Sequence, residues 1–177
     1  AQTRAVGATL AVDLEAIRAN WRALDAMSGP GCETAAVVKG DGYGCGAAEV
    51  GRALAGAGVR SFFVAVPSEG ADLRAALGPG PAIWILGGYG TDERTLYKRD
   101  ALWPVLNSAA QARAWFGGPN GPAAIQIDTG MNRLGMEPAE LAALGPLPAS
   151  VRLAMSHMGN PDVPEHPMNA AQRAAFE

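Results

Sequence analysis

Hydrophobic positions along this chain switch repeatedly between a period of two and a helical period of about 3.6 residues. Short apolar or alternating runs predict strands at Ala8–Val12, Ala35–Lys39, Ser61–Val66, Ala82–Leu86, Leu102–Leu106, Ala123–Asp128 and Val151–His157. Helical patterns lie between them. Leu14, Ile17, Trp21, Leu24 and Met27 recur at helical spacing behind Asp13, a residue type that caps helix starts. Further helices are expected over Ala47–Ala57, stopped by Gly58, and over Ser68–Leu77, stopped by Gly78. The last pair runs Thr91–Arg99 and Ser108–Phe116, the latter ending at Gly117-Gly118. Strands alternating with helices of this length predict βα units and a parallel sheet.

Six such strands follow the leading one, and the chain stops inside the helical pattern after the sixth. A closed (β/α)8 barrel takes eight strands and typically about 250 residues. An open six-stranded parallel sheet leaves two unpaired edges. The pattern alone therefore allows most of a barrel or a doubly wound open sheet. No composition shift or linker divides the chain, so residues 1–177 read as one unit.

Composition narrows the function classes. The 49% hydrophobic content suffices for a packed core. The 14 basic and 17 acidic residues are interspersed, giving net charge −3 and no basic footprint for nucleic acid. No apolar run approaches the roughly 18 residues that span a membrane. The segment from Ala1 to Val6 lacks the long apolar core of a secretory signal. Cys32 and Cys45 form neither a C-x-x-C pair nor a disulfide framework, so a reducing cytoplasm is the expected setting.

Three strand ends carry candidate chemistry. The run Ala36-Val37-Val38 ends in Lys39 and the glycine-rich loop Gly40-Asp41-Gly42-Tyr43-Gly44-Cys45-Gly46. A lysine at the C-terminal end of such a strand lies where barrels and doubly wound sheets do their chemistry. Ile125-Gln126-Ile127-Asp128 leads into Thr129-Gly130-Met131-Asn132-Arg133-Leu134-Gly135, where Arg133 offers a planar fork for an anionic oxygen. Gln126 and Asp128 are expected on one strand face, with Asp128 also suited to cap the glycine turn. The run Leu153-Ala154-Met155-Ser156 ends in His157, whereas His166 falls in a proline-rich loop. Each residue alone has a structural explanation: a solvated strand-end lysine, a surface arginine, a structural histidine, a packing cysteine. Their joint order at successive strand ends is what the bland readings leave unexplained.

In that order the three stretches resemble the motifs of the alanine racemases, K-A-(D/N)-A-Y-G-H-G, (K)-(V/I)-D-T-G-M-x-R-(L/I)-G and M-S-H. The resemblance implies a (β/α)8 TIM barrel of the kind that binds pyridoxal 5'-phosphate, here lacking its last strands. Residues 1–177 would be the truncated N-terminal barrel domain, without the C-terminal β domain. It implies Lys39 as the catalytic Schiff-base lysine, Tyr43 and His157 as cofactor contacts, and Arg133 as a contact to cofactor and substrate. No metal is implied. The implied reaction is interconversion of L-alanine and D-alanine for cell-wall peptidoglycan, by a cytoplasmic homodimer with no nucleic-acid or membrane partner. The second acid–base, a tyrosine of the partner's β domain, is expected outside this chain, so the isolated chain is expected to be inactive. Two positions depart from the motifs. Gln126 stands where many members have a lysine, often carbamylated, and is expected to hydrogen-bond Arg133 as a neutral partner. Cys45 stands where histidine is usual. Two other readings stay open: a non-enzymatic barrel that carries pyridoxal phosphate, and a racemase of other specificity, for serine or lysine.

Overall fold

Six parallel strands lie side by side in chain order in the computed structural model, which describes residues 9–177. They are β1 (Ala36–Val37), β2 (Ser61–Val64), β3 (Ala82–Ile85), β4 (Trp103–Leu106), β5 (Ala123–Gln126) and β6 (Val151–Met155). Helices intervene: α1 (Leu14–Met27), the single turn α2 (Lys39–Tyr43), α3 (Ala47–Ala57), α4 (Pro67–Leu77) and α5 (Arg94–Arg99). They continue with α6 (Ala109–Phe116), α7 (Pro138–Ala142) and α8 (Pro167–Phe176). This is a curled half-barrel with helices outside, so the barrel expectation holds over the open doubly wound sheet.

The strands read as continuous apolar runs because both of their faces are covered. Outward-facing Phe62, Val64, Ile83, Ile85 and Ile125 are fully buried among the helices. Inward-facing Phe63, Trp84, Val105 and Ala124 form a second cluster, joined by Leu153 and Met155. Removing one such side chain from water is worth about 1.5–3 kcal/mol, so each face contributes several times that to holding the sheet.

Punctuation in the sequence corresponds to real caps. Asp13 accepts hydrogen bonds from the amides of Glu15 and Ala16, both at 3.0 Å, and starts α1. Ser108 does the same for α6 through Gln111, and helices α3 and α4 end at Gly58 and Gly78 as expected.

Four features differ from the sequence reading. Ala8 of the leading strand lies outside the described residues, and the rest of that segment joins no sheet. Leu10 there is 80% exposed, so no burial drives it to pair. The first half of Thr91–Arg99 is a 3-10 turn, Thr91–Glu93, before α5 begins. Strand β1 stops at Val37 rather than Lys39, because the chain turns sharply there. The fourth is a bulge in β6: Ala123 pairs with Val151, but Ala124 pairs with Leu153, leaving Arg152 as an extra residue.

Candidate active site

That bulge decides where His157 points. Val151 packs on the outer cluster, and simple alternation would send residue 157 outward as well. The extra residue resets the alternation, so Leu153 and Met155 face the inner cluster and His157 lines the cavity above it.

The cavity holds about 510 Å³ at the C-terminal ends of the strands. Lys39, Tyr43, Gln126, Arg133 and His157 line it, on a floor that includes Phe63, Leu86 and Met155. Side chains following β1, β5 and β6 thus converge on one space. Two cationic side chains and an imidazole face it, and no carboxylate among the described residues does. Burial above all, then the charges of Arg133 and Lys39, holds the His157 imidazole below the ordinary histidine value.

Lys39 opens a left-handed turn. Gly40, Asp41, Gly42, Tyr43 and Gly44 all have positive φ, between 51° and 82°. Its hydrogen bonds are helical in spacing, Gly42 N–H to the Val38 carbonyl and Gly44 N–H to the Gly40 carbonyl, both 2.9 Å. Such backbone costs roughly 1–2 kcal/mol for each L-residue, and glycine escapes most of that. The alternating glycines leave only Asp41 and Tyr43 to bear it. Tyr43 is 67% exposed at the cavity mouth.

Asp128 and Gln126 part company. The Asp128 carboxylate accepts the amides of Gly130 (2.8 Å) and Asn132 (3.1 Å), so it caps the glycine turn as expected. The Gly130 bond first, then the amides of Asn132 and Met131, hold its carboxyl below the usual carboxylate range. Gln126 is 5% exposed and donates from its side-chain amide to the Leu134 carbonyl at 3.3 Å. The expected bond from Gln126 to Arg133 is absent; the glutamine holds the loop backbone one residue further on, and a buried amide takes the carbonyl it can reach. Arg133 itself makes no side-chain hydrogen bond among the described residues and is exposed. His166 caps α8 through Met168 N–H at 3.2 Å, and Cys45 is an exposed free thiol just past the left-handed turn.

A family model for the N-terminal domain of alanine racemase matches residues 12–177. The chain belongs to the alanine racemase N-terminal domain family. An alanine racemase of Cereibacter sphaeroides is 51% identical over 172 residues, 96% of this chain and 49% of that protein. One of Dinoroseobacter shibae is 52% identical over the same shares. Among solved structures, the alanine racemase of Bartonella henselae with covalently bound pyridoxal phosphate superposes with a TM-score of 0.84 at 35% identity. That match covers 93% of this chain and 48% of the other. The chain thus spans about half the length of the relatives it matches.

Two residues around this family's motifs escaped the sequence reading. Glu69, in the first turn of α4, accepts the amides of Gly40 and Ala65, each at 2.8 Å. Gln172, 2% exposed in α8, donates to Thr129 Oγ1 (3.2 Å) and the His157 carbonyl (3.0 Å) and accepts from Gly159 N–H (2.7 Å). The only sequence signal for Glu69 was an acidic residue just after a strand; a glutamine at a polar helix position gave none for Gln172.

Proposed function

We propose that this chain supplies the barrel part of an alanine racemase that interconverts L-alanine and D-alanine with pyridoxal 5'-phosphate. What carries the reading is the convergence of Lys39, Arg133 and His157 on one cavity at the C-terminal strand ends. The cavity suits the cofactor chemically: an amine to take its aldehyde, positive charge for its anionic oxygens, and no carboxylate to repel them.

Bound pyridoxal phosphate would supply an electron-withdrawing ring that makes the Cα proton of an attached amino acid acidic. The chain's own residues do the rest. Lys39 Nζ would hold the cofactor and, as a free amine, would take or return a proton on one face of the substrate Cα. Arg133 binds an anionic oxygen of cofactor or substrate with its fork. The His157 ring, which holds its proton less tightly than a free histidine, would pack against the cofactor. Tyr43 closes the mouth with an aromatic face and a hydroxyl. The acid–base for the opposite face is assigned to a C-terminal β domain of the partner subunit in a cytoplasmic homodimer. The product would serve cell-wall peptide synthesis, and residues 1–177 alone would be inactive.

The test is reductive trapping. The protein is mixed with pyridoxal phosphate and reduced with borohydride, and the labelled peptide is mapped by mass spectrometry. Label confined to Lys39, with racemase activity in the full-length protein, supports the reading. Label scattered over Lys39 and Lys98 in the full-length protein sinks it.

A further inference from the structure

The β1–β2 ladder ends in an unusual way. Val38 N–H donates to the Phe63 carbonyl at 2.9 Å, a regular parallel rung just past β1. In that register the next two rungs would run from Ala65 N–H to the Val38 carbonyl and from Gly40 N–H to the Ala65 carbonyl. Neither forms. The two oxygens of Glu69 take both amides instead, at 2.8 Å each. The carbonyls left over are reassigned: Val38 accepts Gly42 N–H at 2.9 Å and so closes the left-handed turn, while Ala65 accepts Gly87 N–H at 2.9 Å.

We propose that Glu69 is a positioning residue for Lys39: its carboxylate replaces two rungs of the ladder, and so makes the backbone leave the sheet in a left-handed turn directly after the lysine. The turn is costly in itself, with Asp41 and Tyr43 both at positive φ. A strand extended by two residues would spare that cost, and its missing rungs are what Glu69 supplies. Without the carboxylate, the extended strand competes, and Lys39 and Tyr43 move together relative to Arg133 and His157. Charge-assisted bonds from backbone amides to a carboxylate are about twice as strong as neutral ones, which suits an acid rather than an amide at this position.

As a statement about cofactor capture this rests on the reading of Lys39 above; as a statement about the backbone it does not. The test uses the full-length protein with E69Q and E69A. Glutamine keeps the shape but offers one accepting oxygen and an NH2 that cannot accept. Two readouts are taken on variants shown to be folded by circular dichroism: hydrogen exchange of individual amides, and the rate of borohydride trapping at Lys39. Both the Gly40 and Ala65 amides in E69A, and at least one of them in E69Q, are expected to exchange at least about tenfold faster, with Val64 and Ile85 unchanged, which general destabilisation would not produce. Trapping at Lys39 is expected to slow by about ten- to a hundredfold in E69A, with E69Q between it and the parent. Parent-like exchange at both Gly40 and Ala65 in a folded E69Q overturns the proposal, and so does parent-like trapping in both variants. Should E69A fail to fold, E69Q decides alone. If the parent protein leaves Lys39 unlabelled, the cofactor reading falls, and exchange at Gly40 and Ala65 still settles the role of Glu69.

Discussion

The Asp41 carboxylate accepts the amide proton of Ala47 at 2.8 Å, six residues ahead of it. Asp41 thereby caps helix α3 from within the left-handed turn, at a helix start where Gly46 offers no side chain. One residue ties the segment after Lys39 to the helix behind it. Asp41→Ala should cost about 2 kcal/mol or more, from the lost cap and from an alanine forced to positive φ. Asp41→Asn keeps an acceptor and tolerates that backbone, so it should cost well under half as much. Gly42→Ala, with φ at 64° and its Cβ 3.2 Å from Ala47 N, should cost about 1–2 kcal/mol. Urea unfolding of the three variants gives the order directly.

Gln126 sets the second expectation. Gln126→Leu fills the same space but leaves the Leu134 carbonyl without its donor, costing about 1–3 kcal/mol. Gln126→Glu should cost more, since it places a carboxylate beside that carbonyl at a site only 5% exposed. Thermal melts rank the two, and limited proteolysis of the Thr129–Gly135 loop should quicken in both. Glutamate as the more stable of the pair would overturn the role given to the side-chain amide.

His157 should titrate below the ordinary histidine value of 6.5. The folded state binds that proton less tightly than the unfolded chain does. Its contribution to stability is therefore complete above the unfolded value and is lost as pH falls from there through the folded one. Arg133→Gln removes a positive neighbour and should raise the midpoint. Proton NMR of the imidazole, assigned by His157→Asn, measures both; a midpoint indifferent to Arg133 would show that the two do not share the cavity.

Gln172 joins the loops after β5 and β6, through Thr129 on one side and His157 and Gly159 on the other. Gln172→Leu should destabilise by about 1–2 kcal/mol, because the three hydrogen bonds of this buried amide to half-buried and exposed partners are lost. The Gly159 amide should lose protection from exchange while those of β2 and β3 keep theirs.

Elements governed by local chemistry were legible in the sequence. The cap at Asp13 and the stops at Gly58 and Gly78 fall where residue type alone puts them. The strand-end positions of Lys39, Arg133 and His157 were legible because strand periodicity and glycine turns bracket them. What escaped depends on contacts between distant segments. The Arg152 bulge is invisible in an apolar run, since Val151 and Leu153 suit either face. The handedness of the turn after Lys39 was hidden because glycines permit positive φ without requiring it; Glu69 makes the requirement, and it lies in another helix. Gln126 was expected to partner the arginine next to its true acceptor, a miss of one residue that only a folded loop resolves.

Every strand pairs solely with its neighbours in sequence, from β1 to β6. Such a sheet can assemble in the order of synthesis, each βα unit docking on the one before it, with little loop entropy lost at each step. The chemistry is assembled on the opposite schedule. Lys39 belongs to the first strand and His157 to the sixth, so the residues that face each other across the cavity are among the last to meet. Until they do, Phe63, Trp84 and Val105 present an apolar surface to whatever else is in solution, which makes late closure the stage most exposed to aggregation and to chaperone capture.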